Sequence, residues 1–426
     1  MLTALVAFGM GGPVVSGSLA GCGSQAAADQ AAGSSLARRP VAAGDLALGS
    51  RMLSSFAGAL VSRLAGTEGN LVCSPYSVAL ALAMTRTGAH DATAQEMDTV
   101  LGSTSAAELD RGYNAVAQLL ATRAGTKQNG SHEDATVALE VASTLFGQNG
   151  TAWKQYFLDE LARSYGAGVE LVDYRTAAEP ARLRINSWTE DHTAGLIRDL
   201  LPGGSIGPDT RLVLVDALHL KAPWHRAFEK ASTAHGAFHL ADGTVADVPM
   251  MRAEHITSAY AAGEGWQGAR LPYAGEQLAM SLLLPDQGRE KELVARLATG
   301  LAAVLGSFDG SRPRVVMPRF DLRWGTTSLK NVLQEMGLRI AFTRGSADFT
   351  GMTDDEPLWI DDVHHQATIT VDEDGTEAAA ATAVVMNTSS AAVDTHELVL
   401  DRPFLFVVHD VESGAPLFVG RVSDPR

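Results

Sequence analysis

Cysteine is almost absent. The 426 residues contain two, Cys22 and Cys73, so neither a disulfide framework nor a zinc-binding spacing can be written. Cys73 lies in an apolar run and reads as a small core residue. Basic charge is scarce as well: 33 Lys and Arg stand against 49 Asp and Glu, a formal net charge of −16. That excludes nucleic acid and anionic membrane surfaces as partners, because phosphate recognition needs clustered cations. Inside the chain, no apolar run approaches the ~20 residues of a membrane-spanning helix. The common catalytic signatures are missing too. There is no GxSxG elbow, and His396-Glu397 lacks the second His of a zinc-protease helix. Gly263 to Gly268 matches GxGxxG, but Pro272 follows too closely for a helix to open, so the stretch reads as a turn. The acidic groups Asp354-Asp355-Glu356 and Asp361-Asp362 are not spaced as a calcium loop and read as solvated faces. His364 and His365 are neighbours, which alternate faces on a strand and so do not share one ion. No metal, no cofactor and no enzymatic constellation is expected.

What is present is an ordinary globular composition, 46% hydrophobic and 19% charged. Leu46 to Leu64 carries apolar residues at helical spacing, and Pro75 opens a second helical run at the favoured first position. Helical stretches are also expected near Trp153, over 178–200, over 291–305 and over 328–336. Strands are expected at 137–146, 211–220, 278–285, 314–322, 365–371, 404–410 and 416–422. Helices gather early and strands late, an α+β pattern. No linker divides residues 45–426, so one large domain is expected there. The first 22 residues are apolar, small and uncharged, and end in Leu19-Ala20-Gly21-Cys22, similar to the lipobox of bacterial lipoprotein signal peptides. Export is expected, with lipid on Cys22. No Lys or Arg precedes Arg38 to form the usual positive start, and a plain secretory signal or an unprocessed tail are the other readings. Residues 23–44 read as a low-complexity tether.

One stretch resists an ordinary assignment. Val371 to Val393 reads VDEDGTEAAAATAVVMNTSSAAV. Four consecutive Ala favour helix, yet no polar face exists, and Thr382, Val384 and Val385 favour strand. The segment is ambivalent: exposed in one state and able to become a strand in another. As a strand it would put Thr376, Ala378, Ala380, Thr382, Val384 and Met386 on one face, all uncharged, and Glu377, Ala379, Ala381, Ala383 and Val385 on the other. No Pro lies between Thr376 and Asp394, so no ladder donor is missing.

Glu373-Asp374-Gly375-Thr376-Glu377-Ala378-Ala379-Ala380-Ala381-Thr382 resembles the hinge of the serpin family of serine-protease inhibitors. The resemblance runs in family order over about residues 46 to 426. It takes in Asn70 with Ser74-Pro75 and Ser77, Asn186-Ser187-Trp188, Leu214 to Trp224, Val248-Pro249-Met250-Met251, Met317-Pro318-Arg319-Phe320, Phe349-Thr350-Gly351-Met352, Arg402 to Phe406 and Leu417 to Val422. It implies a fold of three β-sheets with about eight to nine helices and an exposed reactive-centre loop, about residues 373–395, near the C-terminus. It also implies a suicide-substrate mechanism. A serine protease cuts the loop and forms an acyl-enzyme, the loop inserts as a strand into the central sheet, and the protease is trapped in a covalent 1:1 complex. The chain would then be no enzyme, since the nucleophile belongs to the protease. Ser74, Ser77, Asp216, Trp224 and His365 fall in the region controlling sheet opening, with Asp216 where many members carry Asn. The family's usual spacing puts the scissile bond at Ser389-Ser390, with Met386, Thr388 and Ala391 as neighbouring alternatives. No Lys or Arg lies between Thr376 and Asp401, which disfavours a trypsin-like target. The small residues of 387–393 suit an elastase-like or subtilisin-like pocket. A monomer is expected, touching membrane only through a lipid at Cys22, and no basic stripe over 97–127 suggests a heparin-like activator. A non-inhibitory relative, acting as a binding or carrier protein, is the alternative. Its hinge would more often hold bulky or charged residues.

Overall fold

The computed structural model describes residues 31–253, 259–309, 313–376 and 397–426. Within them the strands, numbered along the chain, form three sheets. The largest has the order β1 (Ala31–Ala32), β5 (Val169–Val172), β4 (Asp134–Gln148), β6 (Leu212–Pro223), β15 (Gly375–Thr376), β14 (His364–Val371) and β13 (Phe320–Ser328), with β3 (Gly125–Gln128) also on β4. The second runs β2 (Leu71–Cys73), β18 (Pro416–Val422), β17 (Phe404–Asp410), β11 (Leu278–Pro285), β10 (Trp266–Pro272) and β9 (Ala259–Gly263). The third runs β16 (Glu397–Val399), β12 (Arg314–Pro318), β8 (Val245–Ala253) and β7 (Ala234–His239). The helices are α1 (Asp45–Leu64), α2 (Pro75–Arg86), α3 (Asp91–Leu101), α4 (Ala106–Ala121), α5 (Gln155–Glu160), α6 (Tyr174–His192), α7 (Glu290–Gly306) and α8 (Lys330–Glu335).

The expected elements are found, and their burial explains why. In β11, β17 and β18 every residue is buried, the continuous apolar run of a strand covered on both faces. α1 buries Met52, Leu53, Phe56, Ala57, Leu60, Val61 and Leu64, the stripe its spacing announced. α2 is apolar all round and is central: Pro75 starts it, Ser74 caps it, and nearly all of its residues are buried. The strand expected over 314–322 divides at Arg319 into β12 and β13, which belong to different sheets. The GxGxxG stretch is the turn of the β9–β10 hairpin. α4 went unread in the sequence, although Ser105 and Glu108 stand at capping-box spacing and the Ser105 hydroxyl accepts from the Glu108 amide.

Residues 31–44 correct the expectation of a tether. Ala31 and Ala32 pair with Glu170 and Val169 at the sheet edge. The Arg38 guanidinium donates to Asn114 Oδ1 at 3.0 and 3.1 Å, and Arg39 pairs with Glu160. Asn114 and Gln118 donate in turn to the Arg39 carbonyl. A composition rich in Ala and Gly supplies little apolar area, but two arginines that meet buried acceptors hold the segment down. Residues 1–30, with Cys22 and the expected signal peptide, lie outside the described residues.

Candidate functional site at the seam of the large sheet

β15 is short, but it occupies a decisive place. It pairs antiparallel with β6, Gly375 opposite Pro223 and Thr376 opposite Ala222, and antiparallel with β14, Thr376 opposite Val371. Among the described residues no pairing joins β6 to β14 directly; β15 bridges them at one end. The chain reaches this place through a tight turn. Asp372 Oδ1 accepts from the amides of Asp374 and Gly375 at 2.9 and 3.2 Å. Gly375 is required sterically: a Cβ there would lie 2.3 Å from the Ala222 carbonyl oxygen.

Residues from three connecting segments, after β6, after β10 and between β12 and β13, grip the turn. Trp224 donates its backbone N–H to the Asp374 carbonyl and its indole N–H to the Asp372 carbonyl, each at 3.0 Å. Phe228 N–H donates to the Glu373 carbonyl at 2.9 Å. The Glu373 carboxylate is buried, where it accepts from Arg319 Nε at 2.8 Å and from the Thr233 hydroxyl. Burial pushes its pKa up, but the hydrogen bonds from Arg319 and Thr233 outweigh that and hold it below the usual range. Lys230 Nζ meets Asp374 Oδ2 at 2.7 Å. Trp224 stacks on Tyr273 with ring centroids 4.6 Å apart, and the Tyr273 hydroxyl lies 2.6 Å from Thr376 Oγ1. Thr376 is 1% exposed, so its side chain points into the core.

A second cluster stands further along the seam. The Ser74 amide donates to His365 Nε2 at 3.1 Å, and the Ser74 and Ser77 hydroxyls are 3.0 Å apart. The acceptor role of Nε2 places the proton of the neutral ring on Nδ1. Burial pulls the His365 pKa down to about 4. His364 is on the opposite face of β14 and only half-buried, as strand alternation requires. Asp216 sits mid-strand in β6, its backbone in register with Ser143.

Of the residues expected to matter, Glu373, Gly375, Thr376 and Trp224 come together at one end of the seam, and Ser74, Ser77 and His365 at its middle. Glu377, Ala378, Ala379, Ala380, Ala381, Thr382, Ser389 and Ser390 lie outside the described residues. Sequence reasoning missed Tyr273, Thr233, Phe228 and Lys230, and assigned no role to Arg319. No local pattern marks them, because each acts through a partner about 100 positions or more away, or 54 in the case of Arg319.

A family profile described as Serpin (serine protease inhibitor) matches residues 51–425. An uncharacterized serpin-like protein of Thermococcus kodakarensis is 33% identical over 379 residues, covering 88% of this chain and 85% of its own. Serpin B3 of Homo sapiens is 34% identical over 375 residues, covering 84% and 94%. Among solved structures, native tengpin, a thermophilic serpin, superposes with a TM-score of 0.78 at 25% identity over 91% of this chain and 96% of its own. Cleaved Serpin 42Da superposes at 0.76 and 27% identity, covering 88% and 98%. With its three sheets, its seam and these matches along nearly the whole length, the chain belongs to the serpin family.

Proposed function

We propose that this protein inhibits serine proteases as a suicide substrate. Family membership supports protease inhibition in general, with target proteases bound one to one. The observation that carries the finer reading is the seating of β15 between β6 and β14, antiparallel to both. Once a protease has cut the loop, the chain beyond Thr376 is free to continue along that line. Carried on at one residue per step, the register sets Ala378 opposite Leu220, Thr382 opposite Asp216 and Met386 opposite Leu212. On the other side it sets Ala378 opposite Ile369 and Thr382 opposite His365. Thr376 is core-facing, so Ala378, Ala380, Thr382, Val384 and Met386 follow onto the core face, all small or uncharged, while Glu377 turns to the opposite face.

About ten to twenty new ladder bonds at ~0.5–1.5 kcal/mol net each supply on the order of 10 kcal/mol or more. That equals a domain's whole stability, so the uncut form is held by a barrier. About fourteen residues at ~3.3 Å move the acyl-linked protease roughly 45 Å. Inhibition is a race between insertion and deacylation, and the chain itself performs no catalysis.

The scissile bond in this reading is Ser389-Ser390, and the target is an elastase-like or subtilisin-like protease with a shallow pocket. The protein is exported as a monomer and meets a membrane only through lipid on Cys22. Incubation with a panel of serine proteases tests the mechanism: a covalent complex that survives denaturing electrophoresis is expected. A loop that is cut without trapping, or not cut at all, refutes inhibition and leaves the carrier reading. Mass spectrometry of the cut loop locates the bond, and a cut far from 386–392 refutes that assignment.

A further inference from the structure

At the end of the seam remote from β15, a side chain ties the two halves of the large sheet together. The acidic run Asp354-Asp355-Glu356 reads in the sequence as a solvated face, and the structure divides it. Asp354 is exposed, paired with the half-exposed Lys154 at 2.7 Å. The Glu356 side chain is only 24% exposed. Its Oε1 accepts from Arg211 Nε at 2.6 Å and from an Arg175 guanidinium N–H at 2.7 Å. Arg211 immediately precedes β6 and its side chain is 16% exposed, whereas Arg175, in the first turn of α6, is half-exposed. The Arg211 pair is the better shielded from water and salt, so it carries the weight of the contact.

The two partners are anchored in different halves of the sheet. Arg211 belongs to the β4–β6 half. Its guanidinium also donates to the Pro208 and Thr210 carbonyls at 2.6 and 2.8 Å, and its own carbonyl accepts from the amide of Gln148, at the end of β4, at 2.8 Å. Gln148 Oε1 accepts in turn from the Tyr174 and Arg175 amides, which fixes the start of α6 to the same half. Glu356 belongs to the segment that leads into β14. That segment is bound to the end of β13 and the start of α8: Lys330 Nζ donates to the Asp361 carbonyl and the Ser328 hydroxyl to Asp362 Oδ1, each at 2.7 Å, and the Leu329 amide to the Val363 carbonyl at 2.9 Å. Between the two sets of ties run residues 357–360. Leu358 and Ile360 are buried there, and the Ile360 amide donates to the Ala341 carbonyl at 2.8 Å. Across a narrow crevice from them lie Leu212 and Leu214 of β6, themselves only partly covered.

At its other end the seam is already one strand wide, since β15 stands between β6 and β14. An inserting strand needs that width, ~4.8 Å, along the whole seam. Parting the halves by this much breaks either the Glu356–Arg211 pair or the packing of Leu358 and Ile360. The pair yields first, because the burial of two aliphatic side chains outweighs one partly exposed ion pair. We propose that Glu356 is a clasp on the seam: paired with Arg211, it ties the segment entering β14 to the start of β6, and it must let go before an inserting strand can pass this end of the sheet. This rests on the insertion mechanism proposed above. The clasp slows the completion of insertion and lengthens the life of the uncut form. In the cut form it is already open.

The test uses the full-length protein carrying Glu356→Gln, Arg211→Gln, the two together, or Asp354→Asn, which removes an exposed pair on the β4 side of the seam. Three quantities are read: the rate at which a synthetic peptide with the sequence of residues 377–386 anneals, the half-life of uncut protein on heating, and the guanidinium midpoint of cut protein. The register puts the last residue of that peptide opposite Leu212, beside Arg211. Glu356→Gln and Arg211→Gln should each anneal the peptide about three- to tenfold faster and shorten the uncut half-life. The double variant should gain no more than either alone, as expected of two ends of one contact. Cut Glu356→Gln should have the midpoint of cut wild type, because the pair is absent there. Asp354→Asn should match the wild type throughout. An ion pair of merely structural weight would weaken the uncut and cut forms alike. That result, additive gains in the double variant, or equal annealing rates overturn the clasp and leave insertion standing. If wild-type protein gains no heat resistance on cleavage and the peptide anneals to none of the proteins, the insertion mechanism itself fails, and the clasp with it.

Discussion

Replacing Thr376 by Arg strikes the mechanism at its first step. Thr376 is 1% exposed, and its hydroxyl lies 2.6 Å from that of Tyr273, which is stacked on Trp224. An Arg at this position loses that hydrogen bond and leaves the buried Tyr273 hydroxyl unsatisfied, at about 1–3 kcal/mol. It also takes a guanidinium into the core without a carboxylate, which costs several kcal/mol more. A conservative sum is about 4 kcal/mol, well below the ~10 kcal/mol that the complete set of ladder bonds supplies. The finished strand therefore remains favourable; in the uncut chain the Arg is displaced from the seam, and what changes is the barrier to burying it so that the strand can extend. At about 1.4 kcal/mol per decade, insertion slows roughly a thousandfold. Deacylation is the protease's own chemistry and keeps its rate, so the partition moves to hydrolysis. Thr376→Arg should be cut as a substrate, leaving active protease and little covalent complex on a denaturing gel, while Thr376→Ser, which keeps the hydroxyl, should trap normally. Undiminished trapping by the Arg variant refutes the assignment of Thr376 to the core face at the point where the loop enters.

Three further outcomes follow from the same contacts. Glu373→Ala removes the acceptor of Arg319 and Thr233 from the turn, a loss of about 1–3 kcal/mol, and should show as faster heat inactivation of uncut protein. Acidification should destabilise the fold. His365 and His409, both driven to about 4 by burial, stay neutral when folded, so the unfolded chain binds more protons between pH 4 and 6.5 and stability falls as pH drops through that window. Asp110, raised to about 7 by burial, works the other way, because the folded state binds its proton there. Two histidines against one carboxyl leave a net loss on the order of 2 kcal/mol between pH 6.5 and 4.5, visible in thermal melts at the two pH values, and Asp110→Asn should steepen it. Arg39→Ala leaves Glu160 buried without its guanidinium and should lower the melting temperature; equal melting of Arg39→Ala and wild type would show that the docked segment contributes nothing.

Much of this molecule was legible in the residues themselves, because the signals were local. The period of the apolar residues in α1, the Pro75 start of α2 and the uninterrupted apolar runs of β11, β17 and β18 each depend on neighbours a few positions away. So does the alternation over 376 to 386 on which the proposed insertion relies. Other features were decided only by folding. Arg319 and Glu373, or Tyr273 and Thr376, are ordinary letters far apart in the chain, and they become a latch because two sheets and a turn bring them within hydrogen-bond reach. The docking of Arg38 and Arg39 and the partly covered Leu212 and Leu214 are likewise invisible to pattern, since burial is a property of what arrives from elsewhere. A sequence carries period and composition; which strands become neighbours in a sheet, and which carboxylate meets which guanidinium, are fixed by long-range packing.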